Sequence, residues 1–152
     1  MIGFRRPRPQ GCRGLHVCAA SERLVVPAES PFAAAVGYSR AVRVGPHVHV
    51  AGTAPIMPGD ADPPEGTYEQ ARRCLEIIVA ALAELGAAPE HVVRTRTYLV
   101  SANDWEEAAR AHGEVFADVR PATAMIVVSA LLDRRWLVEI EADAFVPEPT
   151  AA

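Results

Sequence analysis

The chain has 152 residues, enough for one compact domain that buries roughly two-thirds of the surface its unfolded chain would expose. Its formal net charge of -4 argues against nucleic-acid binding, because contact with phosphates needs a clustered basic surface. All 15 basic residues are arginines, so Schiff-base chemistry, a pyridoxal phosphate lysine and a phosphate-loop lysine are excluded.

The start of the chain predicts no targeting or anchoring segment. Residues 1–23 mix Arg, Pro and Gly without periodicity and lack the apolar run of a secretory signal, so we predict a disordered leader. No stretch approaches the length of a membrane span. The folded domain is predicted over residues 24–147, with a flexible tail at 148–152. The three cysteines, at positions 12, 18 and 74, are odd in number and lack the spacing of metal ligands, so neither a disulfide framework nor a zinc site is expected. We therefore predict a cytoplasmic protein.

The first half of the domain predicts strands followed by a helix. The segments LVV, SRAVRVG and HVHVAG cluster β-branched residues around the Gly45-Pro46 turn, which is typical of a β-hairpin. A loop rich in Pro and Gly ends at Thr67, where a capping box with Gln70 predicts a helix start, and Gly86 predicts its end. The helix carries one apolar stripe that should pack on a sheet: Ala71, Leu75, Ile78, Leu82 and Leu85. Beside it, Cys74 is predicted to be a buried, inert thiol.

The next segment predicts a strand and a second helix. HVVRTRTYLV alternates, which places Arg94, Arg96 and Tyr98 on one face and Thr95, Thr97 and Leu99 on the other. Asn103 is predicted to cap the helix, with Glu106 in the capping-box position. The helix stripe is Trp105, Ala108, Ala109, His112 and Phe116, and we interpret His112 as a packed core residue in preference to a catalytic one.

The last segments, ATAMIVVSALL and WLVEIEADAFV, predict a strand pair over residues 121–146, joined by a polar link at 133–135. The order β-β-α-β-α-β-β implies an α+β fold with two helices on one face of a mixed sheet. One side of the final strand is apolar, whereas the other aligns three carboxylates: Glu139, Glu141 and Asp143. Carboxylates in line repel each other unless they reach solvent, a cation or a partner subunit.

The standard catalytic and cofactor motifs do not occur in the sequence. His47 and His49 share a strand face at a spacing that could chelate a metal, but without a third ligand we interpret them as polar strand residues. Glu141 lies in an otherwise apolar strand, where desolvation would raise its pKa into the range of a general acid or base. An interstrand ion pair with Arg94 or Arg96 explains the same residue equally well.

Several blocks in order resemble the Rid family, also called YjgF-like proteins or reactive-intermediate deaminases: VGYSRAVRVG, HVHVAGTAPI, VVRTRTYLVSANDW, RPATAM and LVEIEADA. The resemblance covers about residues 24 to 146. It implies a chorismate-mutase-like fold assembled as a homotrimer with a central barrel and a cleft between each pair of subunits. It also implies cofactor-free hydrolysis of enamine or imine metabolites to a 2-keto acid and ammonia.

The resemblance also implies site residues. Tyr38 and Gly52 match the family's tyrosine and glycine blocks, Asn103 matches the asparagine near the cleft, and Glu141 matches the glutamate that holds or activates water. The deaminases carry an arginine for the substrate carboxylate where this chain has Thr123. At two further positions, where the family has small polar residues or cysteine, this chain has Ala51 and Met125. The resemblance therefore predicts a cleft that is more apolar than in the deaminases.

Two explanations for the missing arginine remain open. Arg96 could take over the carboxylate, although an ion pair with Glu139 or Asp143 explains Arg96 as well or better. Alternatively, the protein has diverged toward a neutral or more apolar small molecule. The leading hypothesis is therefore a Rid-type hydrolase with altered specificity, and the alternative is a non-catalytic ligand-binding or chaperone-like trimer. An endoribonuclease or translation inhibitor ranks third, because the acidic net charge disfavours RNA binding.

Overall fold

A six-stranded mixed sheet forms the body of the chain, with the strand order β1-β2-β3-β6-β4-β5. The computed structural model describes residues 22–30 and 33–147, so the predicted tail and all but the last two residues of the predicted leader lie outside the described residues. The strands are β1 (Arg23–Val26), β2 (Ala41–Val44), β3 (His47–Thr53), β4 (Val92–Leu99), β5 (Ala122–Val127) and β6 (Val138–Phe145). The helices are α1 (Ala33–Val36), α2 (Thr67–Glu84) and α3 (Trp105–Phe116). This architecture confirms the predicted mixed α+β fold.

The two C-terminal strands are not neighbours in the sheet. β4 lies between them, antiparallel to β6 and parallel to β5. The prediction of a strand pair over residues 121–146 was therefore right about the strands and wrong about their pairing. A parallel neighbour requires a crossover connection, and α3 supplies it between β4 and β5.

Helix α2 begins at Thr67 as predicted, but the capping box is wrong. The N-cap is Gly66, which has no side chain to cap the helix, and the Tyr68 amide donates to Glu107 Oε2 at 3.2 Å. Gln70 instead donates from Nε2 to the carbonyls of Pro64 and Arg135, and its Oε1 accepts from the Leu137 amide at 2.8 Å. Gln70 is buried, so these distant backbone groups satisfy it and fix the link before β6.

The C-terminus of α2 and its apolar stripe follow the prediction. Gly86 adopts a φ of +69°, and the Ala87 amide donates to the Leu82 carbonyl, as in a left-handed helix stop. Burial raises the pKa of the Cys74 thiol, in agreement with an inert core cysteine. The predicted stripe is buried throughout: Ala71, Leu75, Ile78, Leu82 and Leu85.

Helix α3 departs from the prediction at its start. Asn103 does not cap it, because a 3-10 turn over Ala102–Asp104 precedes the helix and the Ser101 hydroxyl accepts from the Asn103 amide. The predicted stripe is only partly right, since Trp105 is 53% exposed whereas His112 is half-buried and Phe116 is buried.

Helices α2 and α3 lie on one face of the sheet, and neither covers the opposite, helix-free face. In β4 the alternating residues Thr95, Thr97 and Leu99 are buried on the helix side, as the sequence predicted. Arg96 and Tyr98 consequently point to the opposite, helix-free face, which they share with the carboxylates of β6. No helix among the described residues is long and apolar enough to cross a membrane.

Candidate functional site

A cavity of about 420 Å³ opens on the helix-free face of the sheet. Four residues that the sequence proposed for the site line it: Tyr38, Ala51, Arg96 and Glu141. His49, Asp143, Ser39 and Arg23 complete its polar lining. The strand alternation explains this grouping, because β3, β4 and β6 each present these side chains on the same face.

Glu141 is held by two donors from β4. Arg96 Nη1 lies 2.7 Å from its Oε1, and the Tyr98 hydroxyl donates to the same oxygen at 3.1 Å. The hydrogen bond from Arg96 to Glu141 raises the pKa of Arg96. The pKa of Tyr98 is raised first by burial and then by its own hydrogen bond to Glu141. Both groups therefore stay protonated at neutral pH. Within the described part of the chain no side chain donates to Oε2, so this oxygen is the one available to a ligand or a water.

The row of carboxylates is stabilised by Arg96 and His49. Arg96 Nη1 lies 3.5 Å from Asp143 Oδ2 as well as next to Glu141, and His49 Nδ1 lies 2.7 Å from Asp143 Oδ1. Of the three partners suggested for Arg96, Glu141 and Asp143 are confirmed, and Glu139 forms no ion pair with it. The cavity is therefore lined by two carboxylates, an imidazole and two guanidinium groups, those of Arg96 and Arg23.

Glu139, in contrast, faces a different neighbourhood. Burial raises its pKa, which nearby Glu141 raises further and Arg40 lowers. A Cβ atom on Gly52 would overlap the Glu139 carboxylate, and Arg40 Nη1 donates to the Gly52 carbonyl at 2.9 Å and to the Thr53 hydroxyl at 2.8 Å. Gly52 thus gives space to Glu139 at the bulge of β3 and does not line the cavity. The burial effect that the sequence suggested for Glu141 is found at Glu139.

A second group of predicted site residues lies apart from the cavity. Thr123 faces Thr95 across the parallel ladder, on the helix side of the sheet, and their hydroxyl oxygens are 2.7 Å apart. Met125 packs against the core from the same strand, and Asn103 lies exposed in the turn before α3. One chain does not bring these three residues to Glu141, because the sheet separates the two groups.

Sequence reasoning missed several participants in the site, among them Tyr98, His49, Asp143 and Arg23. Alternation had placed Tyr98 beside Arg96, but only the register of β4 against β6 brings its hydroxyl to Glu141. On the helix side, His112 Nε2 lies 2.9 Å from the Thr95 hydroxyl, so the predicted core histidine has a polar partner. Burial lowers the pKa of His112, which keeps its imidazole uncharged at neutral pH.

The two strand histidines do not assemble a metal centre. Their rings are parallel at 4° with centroids 6.4 Å apart, while the His47 ring meets Phe145 edge-on. Over residues 22–30 and 33–147 no group of three His, Cys, Asp or Glu side chains is placed to hold an ion. Hydrogen bonding of His49 to Asp143 accounts for its conformation.

Comparison with known proteins gives a consistent family. The family model described as Endoribonuclease L-PSP matches residues 28–146. A RutC family protein of Pyrococcus abyssi is 37% identical over 109 residues, covering 71% of this chain and 85% of its own length. An uncharacterised protein of Streptomyces coelicolor is 39% identical over 120 residues, covering 76% and 87% of the two chains.

Solved structures agree with the sequence comparisons. A Mycobacterium tuberculosis member of the YjgF/YER057c/UK114 family is 45% identical, covers 82% of this chain and 100% of its own, and superposes with a TM-score of 0.74. RidA from an Antarctic Psychrobacter is 27% identical, with coverage of 80% and 94% and a TM-score of 0.70. The matched residues include both groups of site residues described above, and the chain therefore belongs to the Rid/YjgF family.

Proposed function

We propose that this protein is a Rid-type hydrolase acting on an enamine or imine metabolite, with Glu141 activating the attacking water. The observation that carries the proposal is the arrangement of the Glu141 carboxylate at the cavity. Arg96 and Tyr98 hold one oxygen, and the other is available. A carboxylate fixed in this way is positioned to accept a proton from a bound water.

The reaction needs no cofactor in this proposal. Glu141 takes one proton from water, and the resulting hydroxide adds to the imine carbon. Protonation of the nitrogen and collapse of the adduct then release ammonia and leave the carbonyl product. Tyr38 and Ala51 line the cavity and would shape the space around the substrate.

The test is imine hydrolysis by purified protein. An amino-acid oxidase generates the imine in situ, semicarbazide traps what remains, and the lost trap signal reports hydrolysis. We expect the parent to accelerate hydrolysis and Glu141→Ala to abolish the acceleration. Equal rates for the two proteins, or no rate above that of the uncatalysed reaction, would exclude the proposal.

A second candidate is a binding protein without turnover, and the Arg96 contact favours it. The Arg96 guanidinium lies 2.7 Å from Glu141 Oε1, so the carboxylate already has an ion-pair partner that does not require a role in catalysis. Saturable binding of a keto acid or its amide, with no hydrolysis of the imine, would favour this candidate. An endoribonuclease ranks below both, because a formal net charge of -4 argues against binding of RNA phosphates.

We further propose that the functional form is a cytoplasmic homotrimer. The helix-free face of the sheet carries apolar side chains that are about 40% exposed in the single chain, among them Val25, Val44, Ile126 and Phe145. Exposed apolar side chains on a sheet face that no helix covers are consistent with an association surface. A cleft between copies would also bring Thr123 of one copy toward Glu141 of another, which one chain alone cannot do.

A further inference from the structure

A second cavity, of about 520 Å³, lies between α2 and the β1 edge of the sheet. It shares no lining residue with the cavity at Glu141, and the proposed hydrolysis does not use it. Val26 at the end of β1, Arg40 before β2 and the loop after β3 enclose it together with one face of α2. Its volume is sufficient for a small organic ligand.

Arg40 is a buried cation without an ion pair among the described residues. It is 7% exposed, and its Nη1 donates to the Gly52 carbonyl at 2.9 Å and to the Thr53 hydroxyl at 2.8 Å. Arg40 lowers the pKa of nearby Glu139, but the two side chains form no ion pair within the described part of the chain. Burial of a guanidinium that lacks a paired carboxylate is costly, which favours binding of an anion beside it.

The hydrogen bonds of Arg40 leave one edge of its guanidinium available. A guanidinium has five N–H groups, of which Nη1 carries two. Nη2 and Nε carry the other three, and none of these has an acceptor over residues 22–30 and 33–147. In the same ranges the one buried side-chain atom without a partner is the Thr97 hydroxyl, so both nitrogens are accessible. Parallel N–H groups on one edge match the two oxygens of a carboxylate.

We propose that this cavity binds a small monocarboxylate with an apolar tail, and that Arg40 holds the carboxylate. The tail packs against the apolar part of the lining, whose members are not buried in the single chain: Pro27, Ile56, Met57, Ile77 and Ala80. Burial of such a tail stabilises the complex in addition to the ion pair. The site is separate from the proposed hydrolysis and does not depend on it.

The other charged residues of the cavity restrict the ligand to a single negative charge. The Arg73 guanidinium is already engaged, because its Nε donates to the Ile56 carbonyl at 2.9 Å and its Nη1 lies 3.3 Å from Glu76 Oε2. Glu29 and Glu84 also line the cavity and are exposed. A phosphate or a dicarboxylate would find one available cation and would be repelled by these carboxylates. Salt screens exposed charges, so a single carboxylate is tolerated.

The experiment is an NMR titration of the full-length protein with 4-methylpentanoate and with its uncharged analogue, 4-methylpentanamide. The methyl groups of Ile56, Met57 and Ile77 report binding in this cavity, and those of Val42 and Ala51 report the cavity at Glu141. We expect saturable shifts at the three reporters of this cavity. The acid should bind at least tenfold more tightly than the amide, because its hydrogen bonds with Arg40 are charge-assisted. Inorganic phosphate should shift none of the three.

Arg40→Gln tests the carboxylate contact, and Arg43→Gln is its control. Arg43 also donates to backbone carbonyls, those of Gly45 at 2.9 Å and Leu85 at 2.6 Å, but it does not line the cavity. We expect Arg40→Gln to raise the Kd of the acid at least tenfold and that of the amide by less than twofold. Arg43→Gln should change neither.

Ala80→Trp tests the cavity without removing a hydrogen bond or a charge. Ala80 is exposed and lines the cavity from α2, whereas Ala83 is exposed on the same helix and does not line it. Ala80→Trp should fill the cavity and abolish binding of both probes, and Ala83→Trp should leave both affinities unchanged.

Several outcomes would overturn the inference. They are an absence of shifts at Ile56, Met57 and Ile77, acid-induced shifts confined to Val42 and Ala51, and an amide that binds as tightly as the acid. Shifts of the same reporters by phosphate would contradict the monocarboxylate class. Unchanged binding in the variant that fills the cavity would contradict the site itself.

Discussion

Two isosteric substitutions on one strand should change stability in opposite directions. Thr97→Val removes a buried hydroxyl without a partner among the described residues, and such a group costs about 1–3 kcal/mol when buried. We therefore expect Thr97→Val to raise the free energy of unfolding by about 1 kcal/mol. Thr95→Val removes two hydrogen bonds and leaves His112 Nε2 without its partner, so we expect a loss of about 2 kcal/mol.

Urea unfolding at fixed protein concentration measures this difference. With a slope of about 1.5 kcal/mol per molar urea, the separation of about 3 kcal/mol places the two midpoints about 2 M apart. Threonine and valine are both β-branched, so the strand backbone is affected equally. Shifts of the same sign in the two variants would refute the hydrogen-bond assignment of β4.

Three further predictions address the pH response, the β6 link and the assembly. The pKa of His112 is lowered in the fold, so its contribution to stability is present above pH 6.5 and is lost as the pH falls below that value. Between pH 7.5 and pH 5 the Tm of His112→Gln should therefore fall by less than the Tm of the parent, and an equal fall in both proteins would contradict this. Gln70→Leu should lower the free energy of unfolding by about 2–3 kcal/mol and accelerate hydrogen exchange of the Leu137 amide. Exchange of the α3 amides should stay unchanged and serves as the control. Ile126→Asp should convert a trimeric parent to single chains in sedimentation, and a parent that sediments as one chain would exclude the proposed assembly.

Alternation alone predicted the faces of β4 and β6. Arg96 and Tyr98 were placed on one side and Thr95 and Thr97 on the other, because strand side chains repeat every two residues. The contact between Arg96 and Glu141 could not be fixed in the same way. It depends on β4 lying between β5 and β6, which is a property of the whole sheet.

The errors in the sequence interpretation have a common cause. Gln70 and Asn103 fit local capping patterns, yet Gln70 found partners more than 60 residues away, and a 3-10 turn occupies the position that Asn103 would cap. Local patterns describe which hydrogen bonds are possible, and tertiary contacts select among them. The hydrogen bond between Thr95 and Thr123 was not predicted for the same reason. It requires the parallel pairing of β4 with β5.

The kcat/KM for imine hydrolysis in two neighbouring glutamine variants tests the central claim most directly. Glu141 and Glu139 lie two residues apart on the same face of β6, but only Glu141 lines the cavity. We predict that Glu141→Gln lowers kcat/KM by about 100-fold or more, as expected for loss of a general base, and that Glu139→Gln changes it by less than about threefold. Equal effects of the two substitutions, or a retained rate in Glu141→Gln, would contradict a Glu141-activated water.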